Sequence, residues 1–120
     1  MANITVKDVF SVLSKEDGHA IFLAARDGIK ATMQIHATLK LTKKQYYTRI
    51  QQLVKLGLIE KVDGTYQHTS MGSNLYSGPY YELSELVRRS REFSMIDMLK
   101  KNSRFSKEEI DKFASKVNQS

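Results

Sequence analysis

The sequence predicts a mainly α-helical fold with one small β-hairpin. Two observations carry this. Apolar residues recur at three- and four-residue spacing along most of the 120 residues. That period changes once, around Asp63-Gly64, where two short alternating runs replace it. A third feature divides the chain. The only proline, Pro79, follows Ser77-Gly78 and predicts a boundary between residues 1–76 and a helical extension, 77–120.

Taken in order, Thr5 is a suitable N-cap for a helix whose Val6, Val9, Phe10 and Leu13 share one face. Ser14 with Asp17 predicts a second, box-like start. The helix that follows carries Ala20, Ile21, Leu23 and Ala24 and ends at Asp27-Gly28. Thr32 predicts the cap of a short helix from Met33 to about Thr38. Thr42 caps a longer one, Lys43 to Leu56, with Tyr46, Ile50, Leu53 and Gly57 inward and Arg49 and Val54 beside them.

LIEKV, Asp63-Gly64 and TYQHT then predict a hairpin. A two-residue Asp-Gly loop suits a type I′ turn, which needs positive φ twice. In that register Ile59, Lys61, Tyr66 and His68 share a face. A short helix from Ser70 to about Ser77 follows. Pro79 is expected at the first turn of a long helix with Leu83, Leu86, Val87 and Ser90 in one stripe. Its phase breaks after Phe93, so either the helix restarts near Ser94 or its end is buried all round. Ser106 with Glu109 opens a last helix, with Ile110, Phe113, Ala114 and Val117 inward.

The helix-turn-helix-like run TMQIHATLKLTKKQYYTRIQQLVKLGLIE, the Asp-Gly hairpin and the Tyr66…Thr69…Gly72 spacing together resemble the winged helix-turn-helix. The resemblance covers residues 14–76. It is closest in kind to small prokaryotic regulators of the ArsR and MarR type, especially minimal archaeal ones. It implies that helix 43–56 enters a DNA major groove and that the wing, about 58–69, lies near the backbone or minor groove. Two positions depart from the pattern. Lys40 stands where the turn often has glycine, and His68 where the second wing strand is usually aliphatic. ArsR-type metal sensing uses cysteines or clustered acids and histidines. Here there is no cysteine, and His19, His36 and His68 lack ligand spacing, so no metal or other cofactor is expected.

Charge supports a polyanion partner. Net charge is +6. Residues 30–62 carry Lys30, Lys40, Lys43, Lys44, Arg49, Lys55 and Lys61 against Glu60 alone. With Tyr46, Ile50 and Leu53 inward, the outward face holds lysines and amides and no acid. The expected DNA-binding residues are Thr42, Lys43, Lys44, Gln45, Tyr47, Thr48, Gln51, Gln52 and Lys61. Gln45 or Gln51 suits adenine, Lys44 guanine or phosphate, and Thr42 with Lys43 a phosphate at the helix start. Tyr47 is divided between core edge and contact, and Arg49 between an internal pair and DNA. Arg88, Arg89 and Arg91 read as a solvated face balanced by Glu82, Glu85 and Glu92.

The expected function is sequence-specific binding of double-stranded DNA as a small cytoplasmic transcriptional regulator. A homodimer through the helix after Pro79 and the terminal helix is expected to present two half-sites. No enzymatic constellation and no membrane span or signal peptide is read from the chain. The alternatives are a protein-interaction winged helix in a larger assembly and non-specific nucleoid or RNA binding.

Overall fold

The computed structural model describes residues 3–102 and 104–119. The chain is mainly helical with a three-stranded antiparallel sheet. It packs as two units, Met1–Ser77 and Gly78–Ser120.

The first unit contains α1 (Val6–Leu13), α2 (Glu16–Ala24), β1 (Ile29–Lys30), α3 (Ile35–Thr38), α4 (Lys43–Lys55), β2 (Ile59–Val62), β3 (Thr65–His68) and α5 (Ser70–Leu75). Helix α1 starts as a capping box. The Thr5 hydroxyl accepts the Asp8 N–H at 3.1 Å, and the Asp8 carboxylate accepts the Thr5 N–H at 3.0 Å. The Ser14 start does not form. Lys15 precedes α2 without a side-chain cap, and the Ser14 hydroxyl turns back to the Ser11 carbonyl. The Asp17 carboxylate, expected to serve that start, instead bonds Arg49. Thr32 caps nothing either. Helix α3 is a single turn beginning after Gln34, because residues 31–33 turn away from the strand before them, with the Met33 N–H on the Lys30 carbonyl at 2.9 Å.

That strand, β1, has no periodic signal, since it is two residues long. It pairs antiparallel with β3, Ile29 with Tyr66 and Lys30 with Thr65, so the sheet order is β1-β3-β2. The Ala31 N–H donates to the Gly64 carbonyl at 2.7 Å and ties the hairpin tip to the same edge. In the hairpin itself Ile59 opposes His68 and Lys61 opposes Tyr66, the expected register. Asp63 (φ 49°) and Gly64 (φ 77°) supply the two positive φ angles of the turn.

The core of this unit lies between α1, α2, α4 and the sheet. Ile21, Phe22, Ala25, Ile29, Leu53 and Leu58 are wholly enclosed, with Val12, Tyr46, Ile50 and Ile59 nearly so. Each such aliphatic side chain contributes roughly 1.5–3 kcal/mol by burial. His68 takes the place of an aliphatic residue by satisfying its polar edge. Its ring stacks on Phe22 at 4.4 Å, and its Nε2–H donates to the Phe22 carbonyl at 2.8 Å.

After α5 a wide helical turn, Tyr76–Tyr80, carries Pro79 and leads directly into α6 (Tyr81–Arg88) of the second unit. Pro79 is therefore inside a helical turn and not at a helix start. It has no N–H to give and crowds the turn before it, and a wider turn relieves both. The restart expected near Ser94 falls earlier, at Arg89 (φ −100°, ψ 12°), before α7 (Ser90–Lys100). Ile96 is enclosed, while Met95 and Met98 are exposed. Helix α8 (Lys107–Gln119) packs Ile110 and Val117 on Ile96, with Phe93, Leu99, Phe113 and Ala114 around them. The Ser106 hydroxyl accepts the Glu109 N–H at 3.1 Å, as its position predicts.

Candidate nucleic-acid interface

Helix α4 presents the most basic face of the first unit. Its start is a full capping box. The Thr42 hydroxyl accepts the Gln45 N–H at 3.1 Å, and Gln45 Oε1 accepts the Thr42 N–H at 3.0 Å. The expected contacts Thr42 and Gln45 are thus already paired with one another. The cap bond fixes the Gln45 carboxamide with its Oε1 turned toward Thr42, so two-point adenine recognition by Gln45 would compete with the cap. The N–H groups of Lys43 and Lys44, in the first turn, have no acceptor within the helix.

Two more expected contacts are partly engaged. The Thr48 hydroxyl donates to the Lys44 carbonyl at 2.8 Å. Gln52 is half-buried, and its Oε1 accepts an Arg49 N–H at 2.8 Å. Arg49 itself is held internally, with Nε 2.9 Å from both Asp17 oxygens. That resolves its divided reading toward the internal pair. Lys43, Lys44 and Gln51 are exposed, and Tyr47 is 47% exposed. The Tyr47 ring meets Tyr46 edge-on at 5.2 Å, so it is both core edge and surface. Burial pushes the Tyr46 phenol above its ordinary pKa, with Tyr66 and Tyr47 adding to the effect.

Lys61 sits on β2, away from the helix in sequence but beside it in space. Gln51, Val54 and Lys55 of α4 face Lys61 and Tyr66 of the hairpin across an open groove of about 350 Å³, floored by Ile50. The Lys61 ammonium lies 5.7 Å from the Tyr66 ring centroid. The structure therefore brings Gln51 and Lys61 together and adds Lys55 and Tyr66. Lys55 was legible as an outward base four residues beyond Gln51. Tyr66 shares the hairpin face predicted for Lys61, but that this face flanks α4 follows only from the tertiary packing.

Among the described residues no three His, Cys, Asp or Glu side chains are grouped as a metal would require. Among the described residues no helix is long and apolar enough to cross a membrane. No family model matches the chain, and no curated protein or solved structure is significantly similar to it.

Proposed function

We propose that this chain binds double-stranded DNA sequence-specifically as a small transcriptional regulator, through a winged helix-turn-helix. In this reading α4 enters the major groove and the hairpin lies near the backbone or minor groove. The observation that carries it is the outward face of α4. Lys43, Lys44, Tyr47, Gln51 and Lys55 are exposed there, and the helix contains no acid. A helix needing only solubility gains from Glu–Lys pairs, whereas a helix beside phosphates is better without acids. The sheet that ties the hairpin tip to Ala31 supports the same reading, since it stiffens the hairpin beside α4. Gln51 is the base reader of choice, because its amide is outward and Gln45 is occupied by the cap.

The test is a duplex-binding titration at several salt concentrations, with specific and scrambled competitors. Absence of binding at low salt removes every nucleic-acid reading. Binding with a steep salt slope and no sequence preference leaves only the non-specific one. Lys44→Ala and Gln51→Ala should each weaken binding by about tenfold or more, the latter with relaxed sequence preference. A loss no larger than that of Lys112→Ala, on α8, rejects α4 as the reading helix.

A further inference from the structure

Apart from the groove beside the hairpin, the first unit holds an open cavity of about 610 Å³, between the start of α2 and the turn from α3 into α4. That volume is within the roughly 300–1,000 Å³ of small-molecule sites. Glu16, Asp17 and Ala20 form one wall, and residues 38–41 form the other. The turn wall is tied down by its own backbone. The Leu39 N–H donates to the Ile35 carbonyl at 2.9 Å, and the Leu41 N–H to the His36 carbonyl at 2.8 Å. The cavity is therefore preformed.

Its chemistry is divided between the walls. The charge of Asp17 is answered by Arg49 at 2.9 Å, which leaves Glu16 as the available acid. Lys40 stands on the opposite wall. Both are exposed, and among the described residues neither is in an ion pair, with the other or with any third group. The rest of the lining is largely apolar, from Ala20, Leu39 and Leu41, each half-buried. A cation drawn to Glu16 is repelled by Lys40, and an anion meets the reverse. A molecule carrying both charges close together suits both walls at once. The apolar lining accepts a hydrocarbon side chain.

We propose that this cavity binds a free α-amino acid with an aliphatic side chain. Its ammonium faces Glu16, its carboxylate faces Lys40, and its side chain lies on Ala20, Leu39 and Leu41. Such an occupant touches both supports of α4. One is the turn that delivers the chain to the Thr42 cap, and the other is Asp17, which holds Arg49. The proposal does not depend on the DNA reading and is tested without DNA.

The experiment is a titration of the full chain with L-leucine, followed by NMR of the backbone amides. So small a ligand in an open cavity should dissociate in roughly the 0.1–1 mM range. Saturable shifts should gather at Ala20 and residues 38–41. No saturable shift up to about 10 mM leucine overturns the proposal, and so does saturation whose shifts lie elsewhere. Isocaproate lacks the ammonium and isoamylamine lacks the carboxylate. Each should bind about fivefold more weakly or worse. Binding by either as tight as that of leucine overturns the two-charge match. Glu16→Gln and Lys40→Gln should each lower leucine affinity by about fivefold or more, with the fold retained because both side chains are exposed. Unchanged affinity in both variants overturns the assignment. Ala20→Leu fills the cavity from a helical position that tolerates leucine, and should abolish the shifts. A folded Ala20→Leu chain that still binds leucine overturns the site.

Discussion

Asp17 on α2 holds Arg49 on α4 through both carboxylate oxygens, each 2.9 Å from Nε. The two side chains are only 17% and 20% exposed, so water screens the pair weakly. Arg49 in turn donates to Gln52 at 2.8 Å. The pair ties α4 to α2 beside the buried stripe of Tyr46, Ile50 and Leu53.

Asp17→Ala should therefore strip a partly buried guanidinium of its carboxylate, leaving it only the Gln52 bond, and lower stability by about 2 kcal/mol. Urea unfolding of Asp17→Ala, Arg49→Ala and the double variant measures it. The double variant should recover part of the loss, giving a coupling of about 1 kcal/mol or more. Additive losses would show that the pair is not a joint contribution.

Gly72 supports a second prediction. A Cβ placed there would stand 2.0 Å from the Leu58 carbonyl oxygen. This close approach of α5 to the strand lead-in is secured by Thr69. Its hydroxyl accepts the Gly72 N–H at 3.0 Å and donates to the Gly57 carbonyl. Gly72→Ala must push two backbone segments apart and should cost about 3 kcal/mol. Gly78→Ala, with no atom within 4 Å, should be neutral or slightly stabilising. Comparable urea midpoints for the two variants would refute the packing argument.

Lys40 predicts a gain. It holds φ at 59° and closes a Schellman turn after α3. The Leu41 N–H reaches the His36 carbonyl at 2.8 Å, and the Lys40 N–H reaches that of Ala37 at 3.1 Å. The left-handed backbone costs a non-glycine residue about 1–2 kcal/mol, and glycine's added unfolded-state entropy offsets roughly half of that. Lys40→Gly should raise the thermal midpoint by a few degrees, corresponding to about 0.5–1 kcal/mol. A lowered midpoint would mean that the lysine side chain contributes more than the strain removes.

Tyr46 predicts an alkaline limit. Burial raises its phenol above the ordinary value of 10.0. The folded state thus holds this proton more tightly than the unfolded chain does. The stability it contributes is fully present below pH 10 and is lost as pH rises through the raised folded value. Thermal midpoints of the native chain should fall more steeply from pH 10 upward than those of Tyr46→Phe. Parallel curves would remove Tyr46 as the cause.

Much of the first unit was legible in the sequence. The α4 stripe of Tyr46, Ile50 and Leu53, the Thr42 cap and the type I′ hairpin all rest on contacts within a few residues. The candidate contacts were legible as residue types and less so as available groups. Gln45, Thr48 and Gln52 are outward or half-outward on the wheel, but each spends a polar atom inside its own helix. The capping-box partner of Thr42 was readable from its spacing to Gln45. The Gln52 bond was not, because it depends on where Asp17 draws Arg49.

Local pattern alone determined the stripe and cap of α4, where the hairpin turns and where basic charge concentrates. Helix periodicity, capping and turn geometry are short-range effects, and they leave a mark in neighbouring residues. Tertiary structure alone decided that Ile29 and Lys30 form a strand, since two residues carry no period and pair only because β3 lies beside them. It also decided that Arg49 belongs to Asp17, and that α7 covers the apolar face of α8. That left the equally apolar stripe of α6 exposed. An amphipathic pattern states that a helix has a face to bury, and only packing decides which faces find one another.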